Sequence, residues 1–307
     1  MANTEINFCG VRFPNPVVLA SGIMGVTAAS LLKCADSGCG GVTTKSIWLE
    51  EHVGHPNPTM VGTPEYFVNA VGVPDAGIEK AREELGVYMD KHPVPLIANI
   101  IAKSEDDFYE VTEEVSKLNP DIIEVNISCP NVEDEFGKPL ACSAVKVQEV
   151  TKNVKSRTDV PVIIKMSPNV TNWVEIAQAA EAAGADGLCC FNTFGPGMAV
   201  DVDSRSPVLA NKVGGVSGPG LRPLVIKMIS DIYHAVKIPI IGTGGVITGR
   251  DALELMMAGA TLVGVGTMVY YRDVEGFGEI VKEIEEWMEQ DGTENLQDIV
   301  GSLIVDS

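Results

Sequence analysis

"AGADGLCCFN", residues 183–192, ends an amphipathic stretch, turns on a glycine, and runs through apolar residues to an amide. The stretch before it, "NWVEIAQAAEAAG" (172–184), has helical spacing, and Gly184 supplies the left-handed conformation that ends a helix. Ala185 to Asn192 then reads as a strand with no polar face. Such strands are buried on both sides, the mark of a parallel sheet covered by helices. The same passage from helix through glycine into strand recurs in "SGCGGV" (37–42) and "AGATLV" (258–263).

Working outward, similar apolar runs appear at "PVVLA" (16–20), "GGVTTKS" (40–46), "PLIANI" (95–100) and "DIIEVNIS" (121–128). They continue at "PVIIKMS" (161–167), "IPIIGTG" (238–244) and "TLVGVGT" (261–267), with a helical pattern at "PLVIKMISDIYHAVK" (223–237). Eight such strands predict an α/β fold, a closed (β/α)8 TIM barrel forming one domain over residues 1–307. An open doubly wound sheet is the alternative, but no run is short or polar enough to guard an exposed edge. Residues 47–94, rich in Pro and Gly around a helix, are expected to form a capping loop region over the C-terminal mouth. Residues 273–307 read as the last barrel helix plus a short appended one.

Bulk properties exclude several classes. Asp and Glu total 42 against 22 Lys and Arg, a net charge of −20, which disfavours nucleic acid and anionic membranes as partners. No apolar run approaches the ~20 residues that span a bilayer. "MANTEINFCG" has no basic segment followed by an apolar one, so no signal peptide is expected and the location is read as cytoplasmic. Seven cysteines without a C-x-x-C pair predict neither a zinc site nor an iron–sulfur cluster in this chain.

Active sites of such barrels lie at the C-terminal strand ends. Read in order, those ends offer Ser21, Lys45 with Ser46, Asn99, Asn126 with Ser128 and Cys129, Lys165 with Ser167, and Asn192 with Thr193. Gly244 with Gly245 and Gly266 with Thr267 complete the set. No Asp or Glu appears among them, which argues against a divalent metal. Amides that both donate and accept, beside two lysines, suit an anionic ligand edged with carbonyl and N–H groups. "GTGGV" (242–246) and "GVGT" (264–267) place bare backbone N–H groups at strands seven and eight, the phosphate position of this fold. Neither fits G-x-G-x-x-G, so a dinucleotide is not expected here.

The lysines fit charge stabilisation beside an electron-rich ring, or, alternatively, a Schiff-base nucleophile. Cys129 stands before Pro130, where the chain leaves the sheet, and nearby cations would lower its thiol toward use as a base. Cys189 and Cys190 point to opposite faces and read as structural. His52 and His55 in "EEHVGHP" lack carboxylate support and read as loop residues, so no metal site is predicted.

"LASG" (19–22), "TTKS" (43–46), "NAVG" (69–72), "NISCPN" (126–131), "IKMSPNVT" (164–171), "FNT" (191–193), "PVLANKVGGVSGPGLRP" (207–223), "IIGTGGV" (240–246) and "VGT" (265–267) together carry a resemblance. Over almost its whole length the chain resembles the FMN-containing catalytic subunits of class 1 dihydroorotate dehydrogenases, enzymes of pyrimidine (UMP) biosynthesis. The resemblance implies that Cys129 takes a proton from dihydroorotate while hydride passes to FMN, leaving orotate. It implies that Lys45 touches flavin and substrate. Asn69, Ala70, Val71, Gly72, Val73, Asn126, Asn131, Asn192 and Thr193 would then surround the substrate. Ser21, Lys45, Ser46, Asn99, Asn126, Lys165, Phe191, Gly218, Gly244, Gly245, Gly266 and Thr267 would hold FMN.

"DVDSRSPVLANKVGGVSGPG" (201–220) resembles the NAD-linked form. That form is a homodimer of catalytic subunits joined by electron-transfer subunits carrying FAD and an iron–sulfur cluster, a heterotetramer. The loop "VEDEFGKPLACS" (132–143) is instead similar, in its "GKP", to fumarate-using homodimers. A dihydropyrimidine dehydrogenase-like enzyme for uracil or thymine is the nearest alternative, but Asn131 argues against it, since that family resembles "SCPH" where this chain has "SCPN". A Schiff-base aldolase is the more distant one.

Overall fold

The computed structural model describes residues 3–128 and 140–304. Its centre is a closed barrel of β1 (Val17–Leu19), β2 (Gly41–Thr43), β3 (Leu96–Ile100) and β4 (Ile122–Asn126), continued by β5 (Val162–Lys165), β6 (Gly187–Cys190), β7 (Ile240–Thr243) and β8 (Leu262–Val265). Every strand runs parallel to its sequence neighbours, and β8 pairs with β1 to close the ring. The fold is the expected TIM barrel, and all eight strands fall within the expected segments.

The helices start and stop where their sequence dictates. Thr27, Ser104, Ser143, Asn172 and Thr248 each accept a backbone N–H at a helix N-terminus, satisfying a donor the helix cannot. The glycines singled out as helix stops are left-handed, with φ of +101° at Gly38, +94° at Gly184 and +122° at Gly259. Each turn releases the chain directly into the next strand.

An antiparallel hairpin, Ile6–Phe8 with Val11–Phe13, closes the N-terminal end of the barrel. Phe13 lies so close to Gly41 that a Cβ there would stand 2.5 Å from its ring. Phe8 and Phe13 meet edge to face and are fully buried. The opposite, C-terminal mouth therefore remains as the accessible end.

A four-stranded antiparallel sheet lies beyond that mouth, in the order Phe194–Gly197, Gly214–Ser217, Phe67–Asn69, Met60–Gly62. Half comes from the segment after β2, as expected. The other half follows β6, and neither half was foreseen as sheet. Strands of three or four residues such as "FGPG" and "GGVS" carry too little β-propensity to be read locally. Pairing with a distant segment is what makes them strands. Tyr271 ties the cap to the segment after β8 by donating to the Thr63 carbonyl at 2.8 Å.

Candidate active site

Strand register brings the site together. Asn99 is the register partner of Glu124, Asn126 of Lys165, and Lys165 of Cys189. Alternation along β4 puts Glu124 and Asn126 on one face. Glu124 also interacts with Cys189, two strands away, which side chains achieve on the concave face of a barrel. These residues therefore fill the barrel interior beneath the mouth.

At the upper level a chain of hydrogen bonds links three strand ends. Asn126 donates from Nδ2 to Ser46 Oγ at 3.3 Å, and its Oδ1 accepts from Ser128 Oγ at 2.6 Å and Ser128 N at 3.2 Å. Asn192 donates from Nδ2 to Ser128 Oγ at 2.6 Å, while its Oδ1 accepts from Thr193 N at 2.8 Å. Asn169 braces the end of the chain, donating to the Thr193 carbonyl at 3.3 Å. Both carbonyl oxygens of the Asn126 and Asn192 amides are thus used internally. An amide nitrogen carries two N–H groups, so among the described residues each amide has one donor beyond these bonds.

One layer lower, Lys165 Nζ lies 3.3 Å from Glu124 Oε1, and Asn99 Nδ2 donates to the same oxygen at 2.5 Å. Asn99, Glu124 and Lys165 are all nearly inaccessible, at 0%, 2% and 5% exposure. Burial draws the Lys165 ammonium down, and Glu124 more than offsets it, leaving the group above its ordinary value. A protonated lysine cannot be a Schiff-base nucleophile, so this site does not favour the aldolase reading. Asn99 Oδ1 is buried and has no hydrogen-bond partner among the described residues. An orphaned acceptor costs about 1–3 kcal/mol unless a donor meets it.

Glu124 escaped sequence reasoning. The strand ends carry no carboxylate, as expected, but the layer beneath them does. The available signal was spacing: Glu124 lies two residues before Asn126 in a run otherwise fit for a buried strand, and so shares its face.

The remaining residues are distributed around the same mouth. Ser21 follows β1, drawn toward β8 by the bond from Ala20 N to the Val265 carbonyl at 2.9 Å. Gly266 is on the other side of that bond, and a Cβ on it would lie 3.7 Å from Ala20. Lys45 is half-buried just past β2, its N–H held by the Gly25 carbonyl at 2.8 Å. Phe191 is buried after β6 and donates its N–H to the Thr243 carbonyl at 3.1 Å. Gly244 and Gly245 have φ of +144° and +77°, opening bare backbone at the end of β7. Thr267 begins the short helix Met268–Arg272 after β8. Gly218, at φ +106°, packs against Tyr66 of the cap.

Asn69 belongs to the cap and is the register partner of Gly215. A Cβ on Gly215 would collide with Thr193 Oγ1, so Asn69 and Thr193 flank the same glycine. The segment from Ala70 to Val73 is held from outside. His55 Nδ1 bonds the Ala70 carbonyl at 3.0 Å, and Trp48 Nε1 donates to the Val73 carbonyl at 3.1 Å. His52 stacks on Trp48 with 4.6 Å between centroids and bonds the same carbonyl at 3.1 Å. The two histidines are loop residues that fix the segment from Ala70 to Val73 through its carbonyls. Cys129 and Asn131, with the loop through 139, lie outside the described residues.

A family model described as dihydroorotate dehydrogenase matches residues 3–288. The chain is 43% identical over 300 residues to a protein of Methanocaldococcus jannaschii, covering 97% of each. It is 41% identical over 296 residues to one of Methanosarcina acetivorans, covering 96% of this chain and 94% of the relative. It is also 38% identical over 297 residues to one of Pyrococcus abyssi, covering 97% and 98%. All three relatives are named dihydroorotate dehydrogenase B (NAD(+)), catalytic subunit.

Proposed function

The chain belongs to the dihydroorotate dehydrogenase family, and from that premise we propose that it is an NAD-linked catalytic subunit oxidising dihydroorotate to orotate for pyrimidine synthesis. The observation that carries the reading is the polar lining of the barrel mouth. Asn126 and Asn192 present donors above, and Asn99 presents a buried, unmet acceptor below. Donors suit the carbonyl and carboxylate oxygens of dihydroorotate. The acceptor wants an N–H, which the ring system of FMN possesses.

The residues fit FMN. Lys165 and Asn99 would lie along its ring, with Ser21, Lys45, Ser46, Asn126, Phe191 and Gly218 around it. Gly244, Gly245, Gly266 and Thr267 would take its phosphate, which needs close backbone N–H groups and no Cβ in the way. When bound, FMN supplies the acceptor for the hydride leaving C6 of dihydroorotate.

The protein's own residues would do the rest. Cys129 takes the proton from C5, so that proton and hydride together leave a C5=C6 double bond. Lys45 balances the substrate carboxylate. Asn69, Asn131, Asn192 and Thr193 hold the ring edges, and the segment from Ala70 to Val73 closes over it. Ser128 keeps the Asn126 and Asn192 amides from turning, so their donors are pre-oriented. Positioned proton transfer of this kind contributes about 10²–10⁴-fold.

The relatives' shared name, catalytic subunit, supports a second subunit that receives the electrons and passes them to NAD. In this reading the chain is one domain, pairs as a homodimer, and joins subunits carrying FAD and an iron–sulfur cluster. A cytoplasmic location belongs with it; among the described residues no helix is long and apolar enough to cross a membrane.

The test is anaerobic mixing with dihydroorotate while flavin absorbance is followed. Bleaching is expected with dihydroorotate and not with dihydrouracil, and colour should return with NAD only when the partner subunit is added. A colourless protein that takes up no FMN, or one bleached by dihydrouracil alone, would overturn the reading. Reoxidation by fumarate without any partner would overturn the NAD link.

A further inference from the structure

Asn99, Glu124, Lys165 and Cys189 form a buried polar layer across four consecutive barrel strands, β3 to β6. The reaction as described uses the lysine and the asparagine but gives the glutamate no task. Burying a carboxylate is costly unless its partners return the lost hydration. Here one oxygen, Oε1, meets both the Lys165 ammonium and the Asn99 amide nitrogen.

That geometry has a definite consequence for Asn99. An ionised carboxylate only accepts hydrogen bonds, so it selects the N–H side of the amide and turns the C=O side away. The unmatched Asn99 Oδ1 is the result: an acceptor left over because Glu124 has claimed the donor. For Lys165 the consequence is charge. Its ammonium is balanced in place by one negative partner, and the pair adds no net charge to the floor of the site.

We propose that Glu124 is a positioning residue for the cofactor: it fixes Asn99 as a hydrogen-bond acceptor toward bound FMN and offsets the Lys165 charge beneath the ring. The proposal rests on the flavin reading above. It assigns Glu124 control of two quantities a purely structural residue would leave alone, the reduction potential of the flavin and its dependence on Lys165.

Glu124→Gln keeps the shape and removes the charge. The Lys165 cation is then uncompensated and favours the reduced, more electron-rich flavin, while Gln can donate to Asn99 and release its amide to turn over. The measurement is the two-electron midpoint potential of bound FMN at pH 7, read by dye-referenced spectrophotometry in wild type, Glu124→Gln, Lys165→Met and the double variant. Glu124→Gln is expected to raise the midpoint potential by at least about 30 mV, which for this two-electron couple lowers the oxidised-to-reduced ratio about tenfold at a fixed potential. In the Lys165→Met background the same change should lose most of that effect, since the coupling runs between the two residues.

Wild-type potential in Glu124→Gln, or an equal shift in both backgrounds, would overturn the proposal. Should Glu124→Gln fail to fold, Glu124→Asp decides. That side chain keeps the charge but falls short of both partners, and apoprotein titration should show FMN affinity lowered at least tenfold. Unchanged affinity would overturn the proposal. A wild-type protein that takes up FMN separates these outcomes from failure of the flavin reading, because a chain that binds none brings down both.

Discussion

Asn192 Nδ2 donates to Ser128 Oγ at 2.6 Å, joining the ends of β6 and β4 across the intervening β5. The same hydroxyl donates to Asn126 Oδ1, so one serine holds two amides in their donor orientation. Ser128→Ala removes both bonds without adding bulk. Orotate affinity is expected to fall about tenfold, in line with one or two hydrogen bonds at ~0.5–1.5 kcal/mol each. Equilibrium titration checks this, and undiminished affinity would show that the amides are oriented by something else.

Cys129→Ala removes the proposed base while leaving the described lining intact. Flavin reduction by dihydroorotate should slow by roughly 10²–10⁴-fold, with FMN still bound. Stopped-flow absorbance measures it, and a rate within tenfold of wild type would reassign the proton acceptor.

Two glycines of the proposed phosphate cradle separate backbone strain from ligand contact. Gly245 has φ +77°, and a Cβ there would sit 2.8 Å from the Arg222 backbone nitrogen. Gly245→Ala should therefore cost about 1–3 kcal/mol in stability as well as FMN retention. At Gly266 the nearest atom to an added Cβ is 3.4 Å away, an ordinary contact. Gly266→Ala should melt like wild type yet bind FMN more weakly. Thermal melts with and without FMN distinguish the two, and equal melting losses would contradict the assignment.

The described thiols differ in access and ionisation. Burial pushes Cys9 up to about 12, Cys34 up to about 11, and Cys39, Cys189 and Cys190 upward as well. Cys142 is exposed. Brief iodoacetamide treatment at pH 8 followed by peptide mass spectrometry should label Cys142 far ahead of those five, because the thiolate is the reacting form. Early labelling of Cys189 would mean that the barrel interior opens readily.

One surface network predicts a pH signature. Arg272 bridges Glu279 at 2.6 Å and Glu283 at 2.7 Å, and Glu283 also accepts the Gly249 N–H at 2.5 Å. Burial alone would raise the Glu283 carboxyl; Arg272 and the Gly249 N–H outweigh it and hold the group below its ordinary range. A depressed folded-state value means stability present above the unfolded value near 4.5 and lost as pH falls through the folded one. Glu283→Gln should thus destabilise by about 0.5–1 kcal/mol at pH 7, after solvent screening. The gap to wild type should close on acidification below pH ~4. Urea melts across that range test it, and a gap that widens would refute the network's role.

Much of this molecule is written locally. Strands apolar on both faces, left-handed glycines at 38, 184 and 259, and Thr, Ser or Asn at helix starts are short-range signals, and together they dictate a parallel barrel. Polar residues at the strand ends mark the mouth as the candidate site, because an apolar framework gives Asn126, Ser128, Lys165 and Asn192 no packing role.

Three features needed the folded chain. The capping sheet exists only by pairing residues 60–69 with 194–217, and such short glycine-rich strands carry no signal without their partners. His52 and His55 acquire their role from the carbonyls of Val73 and Ala70, which they bond across the loop. Glu124 sits in the middle of an apolar strand, where spacing shows its face but not its neighbours. Periodicity is a property of one segment and can be read along the chain. Register between strands is a property of two, so which amide meets which carboxylate, and which acceptor is left over, was decided only when the barrel closed.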